Sequence, residues 1–263
     1  MTNARLCRLG SVLLVLAGCS APQPVEPVPL ETVLADWASQ TLPLQRLHFE
    51  GQIQVEWADE RGEHMEQGDL NAWLDGDRSS SWRVTKFGDV YLWYGSTPDE
   101  TWIFDFVSEP SVLRKGPASR DMDLGTMAIR PAILRTLLGF DPWPADAIVT
   151  YEQDIIVIRG QVLGGHLEAR VRPVDLQPLK ITMTFPDQKP LVAAHQWTTG
   201  EVRVDAARGA RRLARVVDLH DDNSKVKLRT SYAETLTGEQ METSGAVFDV
   251  ERIEAHLQPD VVK

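Results

Sequence analysis

Cys19 is the residue whose neighbours specify a reaction. It follows Leu16-Ala17-Gly18, at the end of a segment in which Arg5 and Arg8 precede an apolar run from Leu9 to Leu16. A basic start, a short apolar stretch and small residues before the cut form a secretory signal. A Cys at the cut makes it a lipoprotein signal, because the thiolate is the nucleophile that accepts a diacylglyceryl group. Cleavage ahead of Cys19 then frees an N-terminus for a further acyl chain. A membrane span is excluded, since a hydrocarbon core needs roughly 20 apolar residues and Ser20-Ala21-Pro22 cannot continue a helix. Residues 1–18 are therefore expected to be removed and Cys19 to carry lipid. Each buried methylene contributes about 0.8 kcal/mol, so one chain holds a protein marginally and two or three hold it durably. Ser20 stands where an Asp would signal inner-membrane retention. The expected location is the outer membrane, facing the periplasm.

No other group of residues forms a convincing catalytic or metal set. The six histidines, His48, His64, His166, His195, His220 and His256, never fall at helical metal-ligand spacing, and no Cys is left to join them. His220-Asp221-Asp222 reads as a strand-to-strand turn, and Gly164-Gly165 before His166 as a hairpin signal. There is no Gly-x-Ser-x-Gly elbow, and the Ser-x-x-Lys match at Ser224 to Lys227 lies in an alternating strand rather than opening a helix. The acidic pairs Asp59-Glu60 and Asp121 with Asp123 read as solvated loops. No enzyme activity, metal or cofactor is expected. Arg208, Arg211, Arg212 and Arg215 form the concentrated positive run, either a solvated turn or a contact for an acidic partner or lipid phosphate.

Composition narrows the partners. The formal net charge is −11, two units more negative once Arg5 and Arg8 leave with the signal. That balance argues against nucleic acid and against broad contact with anionic membrane surfaces. The two cysteines are Cys7, in the signal, and Cys19, so the mature chain is expected to be stable without disulfides.

Beyond Cys19 the chain reads as a tether, a helix and many short strands. Ala21 to Pro29 is proline-rich, and an extended polyproline segment of about 3.1 Å per residue lifts the folded domain roughly 28 Å from the anchor. Leu30, Val33, Leu34 and Trp37 have the spacing of an amphipathic helix that Pro43 ends. From Leu47 to about Gly116, apolar alternation broken by turn residues predicts an antiparallel meander. Phe49, Ile53, Val55 and Trp57 share one parity there, as do Leu70, Ala72 and Leu74. Ile129, Ile133, Leu134, Leu137 and Leu138 form a second helical stripe, with Pro131 in its first turn and Gly139 at its end. Seven more strands are predicted between Ile148 and Tyr232, then a short helix over Phe248 to Leu257 with Asp249 as N-cap.

Trp73, Trp82, Tyr91, Trp93, Trp102 and Phe104 lie close together in sequence and occupy both strand parities. Either they fill a core, or some line an apolar cavity that holds aliphatic ligands by burial.

Trp82-Arg83-Val84, then Tyr91 to Gly95 and Trp102-Ile103-Phe104-Asp105, resembles a passage of the LolA/LolB superfamily of lipoprotein-sorting proteins. Leu167 to Thr184, with Pro178-Leu179-Lys180-Ile181, is similar to a later hairpin of that family, and the element order agrees over most of residues 30–250. The resemblance implies an α+β fold over residues 30–263: an incomplete antiparallel β-barrel, a curved half-barrel sheet, with helices covering its open, concave side. It implies an apolar cavity for lipid or for the acyl chains of protein cargo. The candidate cavity residues are Phe49, Ile53, Val55, Leu70, Leu74, Trp82, Trp93, Trp102 and Phe104, and the candidate lid residues Val33, Leu34, Trp37, Ile133, Leu134 and Leu137. The soluble carrier of that family has no lipid anchor. Its anchored receptor is usually shorter, and the receptor's exposed apolar loop is not evident in this sequence. The resemblance leaves two functions open: binding or transfer of acyl chains, and, as the alternative, an envelope interaction or stress-sensing module that binds a protein partner through the same half-barrel.

Replacing Cys19 by Ala is expected to abolish labelling by palmitate and to move the protein out of the membrane fraction. Undiminished labelling of Cys19→Ala would rule out the assigned site.

Overall fold

The computed structural model describes residues 27–60, 62–76, 79–107, 109–118, 131–186, 188–204, 212–220, 224–240 and 245–263. The signal, Cys19, most of the tether, Asp121, Asp123, Ile129, Arg208, Arg211 and the Asp221-Asp222-Asn223 turn lie outside them.

Strand alternation dominates the chain, and the strands join into one sheet. They are β1 (Arg46–Asp59), β2 (Gly62–Asp75), β3 (Ser79–Lys86), β4 (Asp89–Ser96), β5 (Glu100–Asp105), β6 (Val112–Pro117), β7 (Ile148–Glu152), β8 (Ile155–Val162), β9 (Gly165–Val171), β10 (Pro178–Thr184), β11 (Leu191–Arg203), β12 (Arg212–His220), β13 (Ser224–Thr235) and β14 (Val261–Val262). Their order in the 14-stranded sheet is β14-β6-β5-β4-β3-β2-β1-β13-β12-β11-β10-β9-β8-β7. Thus two antiparallel meanders, β1 to β6 and β7 to β13, meet where β1 pairs with β13, with Ile53 opposite Leu228. The short β14 pairs parallel to β6. The sheet does not close, so the architecture is the open half-barrel expected from the sequence.

Helix α1 (Val33–Thr41) buries Val33 and Trp37, and Pro43 lies in the 3-10 turn Leu42–Gln45 immediately after it. The helix is shorter than its apolar stripe, since Leu30 precedes it and is exposed. Helix α2 (Pro131–Leu137) is so enclosed that even Arg135 and Thr136 are buried. Gly139 continues the chain at φ +73, a left-handed conformation that costs glycine little. Helix α3 (Val250–Leu257) starts at Asp249, whose side chain accepts from the Arg252 backbone N–H at 2.9 Å. No helix among the described residues is long and apolar enough to cross a membrane.

Register assigns the aromatic residues to two faces. Trp82 pairs with Tyr94 and Tyr94 with Ile103, so these point to the side covered by α1 and α2. Trp93 pairs with Phe104 and Gly95 with Trp102, which places Trp93, Trp102 and Phe104 on the other side. There they pack with Leu113 and with Val250 and Ile253 of α3. Gly95 is required at this crossing, because a Cβ would overlap the Trp102 ring and the Ser80 carbonyl.

Gly95→Ala is expected to destabilise the protein by about 2 kcal/mol, in the range for overpacking. Gly238→Ala, where a Cβ meets nothing within 4 Å, serves as the control in thermal denaturation. Equal melting temperatures for the two variants would contradict the close packing at Gly95.

Candidate functional site

The concave face begins with apolar side chains from β1 to β3. Phe49, Ile53, Leu70, Leu74 and Trp82 are buried there and Val55 is half-buried. Their rings interlock: Phe49 meets Trp82 edge-on at 5.2 Å and Phe140 at 5.9 Å, while Trp82 stacks on Tyr94 at 6.1 Å. The lid residues Val33, Trp37, Ile133, Leu134 and Leu137 are buried against the same cluster, and Leu34 packs on it from the edge. The structure therefore gathers six of the nine candidate cavity residues and all six candidate lid residues in one cluster, in which Phe49, Ile53 and Val55 line a pocket whereas Leu70, Leu74 and Trp82 are packed core. Trp93, Trp102 and Phe104 are separate, in the outer cluster under α3.

A polar node fixes the two lid helices. Arg135 is 1% exposed, and its Nε donates to Asp141 Oδ1 at 2.6 Å. Its Nη2 donates to Gln45 Oε1 at 2.7 Å. Thr136 Oγ1 donates to Asp141 Oδ2 at 2.8 Å, and Trp37 Nε1 donates to the Asp141 carbonyl at 2.9 Å. Asp141 thus joins α1 and α2, and Arg135 reaches the 3-10 turn after α1 through Gln45. Arg135 is not among the residues singled out from the sequence, although a lone Arg inside an apolar helical stripe, six residues before an Asp, carried the signal. Phe140 and Trp143, on either side of Asp141 in sequence, pack respectively against Phe49 at 5.9 Å and edge-on to Trp37 at 6.2 Å.

Two open pockets lie on that face among the described residues. The first, of about 440 Å³ including space open to solvent, is lined by Ile53, Val55 and Trp57 of β1, Glu66 to Gly68 of β2, Val84 of β3, Tyr91 and Leu92 of β4, and Val107. Its walls are chiefly apolar, with Glu66 and Tyr91 as the ionisable groups. Burial, and then the neighbouring Glu66 carboxylate, push the Tyr91 hydroxyl up to about 12. Lys86 pairs with Glu66 at 2.6 Å and lies over the Tyr91 ring at 5.1 Å. The second pocket, of about 380 Å³ on the same basis, lies between the end of α2 and strands β10 to β13, with Phe49, Leu138, Phe140, Gln177, Pro178 and Trp197 among its walls.

One residue beside the first pocket was not recognised in the sequence. Phe87 and Gly88 form the two-residue turn between β3 and β4, with φ +56 and +95, and the Phe87 ring is 97% exposed. Such turns favour Asn or Asp in the first position, so Phe87 gains nothing from the fold. The turn was legible in Lys86-Phe87-Gly88-Asp89, but its outward ring was not.

Tyr94 is buried and its hydroxyl is pushed far above its ordinary range by desolvation. His195 Nε2 lies 3.1 Å from the Leu137 carbonyl at the end of α2. Among the described residues, no three His, Cys, Asp or Glu side chains are placed to hold a metal ion.

No family model matches the chain, and no curated protein sequence does. Solved structures do. A LolA superfamily protein from Nitrosomonas europaea superposes with a TM-score of 0.51 at 10% identity, over 81% of this chain and 97% of that one. A putative outer membrane lipoprotein-sorting protein domain from Vibrio parahaemolyticus gives 0.52 at 9% identity, over 83% and 99%. A DUF1329 family protein from Desulfovibrio piger gives 0.56 at 9% identity, over 80% and 94%. The fold is LolA-like.

Arg135→Met is expected to cost about 3–5 kcal/mol, because it leaves Asp141 without its buried counter-charge. Chemical denaturation measures this, and a loss below about 1 kcal/mol would show that the helices are held by apolar packing alone.

Proposed function

We propose that this is a lipid-anchored envelope protein, facing the periplasm from the outer membrane, that holds one acyl chain of a lipid or lipoprotein in the first pocket without covalent chemistry. The observation that carries this reading is the apolar pocket on the concave face of a LolA-like half-barrel, beside a turn that presents Phe87 to solvent. An apolar cavity takes an alkyl chain by burial and needs few directional bonds. The stems of the Phe87 turn supply Val84, Tyr91 and Leu92 to the pocket. A chain leaving the pocket would therefore pass close to an aromatic ring able to enter an apolar phase. The lipid on Cys19 supplies attachment, and the acidic domain stays off the anionic surface. The likeness to the Nitrosomonas and Vibrio proteins supports a carrier or binding role rather than catalysis. Cavity lining is assigned to Ile53 and Val55, with Phe49 in the wall of the second pocket.

A fluorescent fatty acid should bind the wild-type protein saturably. Val55→Trp, which fills the pocket, should weaken binding at least about tenfold. Phe87→Asp should leave binding intact while slowing transfer of the fatty acid to phospholipid vesicles. Native protein that carries no lipid and takes up no fatty acid would overturn the proposal. If cross-linking in cells then captured one stoichiometric protein, the half-barrel would be a protein-binding module instead.

A further inference from the structure

We infer that Arg83, held between Trp73 and Trp93 on the outer face of the sheet, is a receptor for a carboxylate, which it binds end-on through its two Nη groups. Register sets Arg83 opposite Asn71 of β2 and Trp93 of β4. The group therefore faces away from both pockets, and the inference does not rest on the acyl-chain reading. The guanidinium carbon lies over both indoles, 5.2 Å from the Trp73 ring centre and 5.4 Å from that of Trp93. Its Nε is buried without a hydrogen-bond partner. Nη1 and Nη2 bond no described residue either, but they reach solvent.

The missing counter-ion is the informative point. The chain has 38 acidic residues against 27 basic ones, and Arg159, Arg170 and Lys227 elsewhere on the sheet each pair with a carboxylate. Arg83 makes no ion pair among the described residues, and in its own row Asn71 separates it from Glu50. A half-buried cation that has lost water and gained no anion destabilises the fold, and burial lowers its pKa from the ordinary arginine value. Each aromatic contact returns roughly 0.5–2 kcal/mol, yet the outer edge of the guanidinium stays unmatched. The walls of the site are held by other contacts. Trp93 Nε1 donates to Ser81 Oγ at 2.8 Å, and Ser81 Oγ donates to the Val247 carbonyl at 2.8 Å. Trp73 stacks on His48 at 5.1 Å, and His48 Nδ1 lies 3.3 Å from Glu234. A guanidinium fork fixed between two flat apolar walls matches a planar carboxylate. In an acidic protein a monoanion is also repelled less than a phosphate dianion. The carboxylate comes from a small organic acid or from the C-terminus of a peptide.

Benzoate and N-acetylglycylphenylalanine probe the two sources, each titrated into the full chain beside its neutral primary amide. The readout is the indole N–H NMR signals of Trp73 and Trp93, assigned through Trp73→Phe and Trp93→Phe. At least one acid should move both signals saturably and bind about tenfold or more tightly than its amide, the range of a hydrogen bond to a charged group. Saturation by benzoate assigns a small acid, and saturation by the dipeptide alone assigns a peptide C-terminus. Arg83→Met, which keeps an apolar stem between the rings and loses the fork, should abolish the preference for acid over amide. Arg83→Lys, which keeps the charge without the planar fork, should weaken acid binding at least about threefold. Val55→Trp, in the first pocket, should leave it unchanged, so that failure here and failure of the acyl-chain reading are told apart. Signals that do not move, equal affinity for acid and amide, a preference that survives in Arg83→Met, full affinity in Arg83→Lys, or loss of binding in Val55→Trp would each overturn the inference.

Discussion

The concave side of this half-barrel is organised by one buried ion pair, Arg135 with Asp141. Apolar packing alone can place a helix on a sheet in several registers, because burial has no direction. A buried charge has far less freedom: it must meet its counter-ion or be heavily penalised. Arg135 reaches Asp141, Gln45 and the Ser79 carbonyl, while Asp141 also receives Thr136 and Trp37. These partners come from α1, the turn after it, α2 and the start of β3. The pair therefore sets where both helices lie, and with them Phe140 against Phe49 and Trp143 against Trp37.

The outer face has a different solution to the same problem. Trp93, Trp102 and Phe104 would be an exposed aromatic patch if the sheet ended the fold there. Helix α3 covers them with Val250 and Ile253. Its attachment is polar at both ends: Ser81 Oγ donates to the Val247 carbonyl at 2.8 Å, and Asp260 Oδ2 accepts from the Ser111 side chain at 2.7 Å. Lys115 pairs with Glu254 between them at 2.8 Å. The C-terminal segment thus belongs to the outer layer and contributes nothing to either pocket.

How far the sequence revealed this depends on how local each signal is. Alternation identified the strands, and the spacing of Val33 with Trp37 and of Ile133, Leu134 and Leu137 identified both lid helices, because each depends on residues a few positions apart. Assigning Trp93, Trp102 and Phe104 to the cavity failed for the converse reason. Their parity differs from that of Trp82 once the register between strands is known, and register is a long-range property. Asp141 gains part of its role from Trp37, far along the chain, which no local pattern reports. Phe87 sits in a turn that was legible, yet its exposure depends on whether another element covers it, which no local pattern reports.

The same ion pair constrains how the concave face can open. Because Asp141 binds Trp37 of α1 and Arg135 and Thr136 of α2 at once, neither helix can rise alone without leaving a buried polar group unpaired. Enlarging the centre of the concave face therefore requires both helices and the Phe140 to Trp143 segment to move as one body. The two pockets already present need no such motion, since each opens to solvent beside the lid. Any motion that widens the concave face beneath α1 and α2 therefore works first against the Arg135 and Asp141 node.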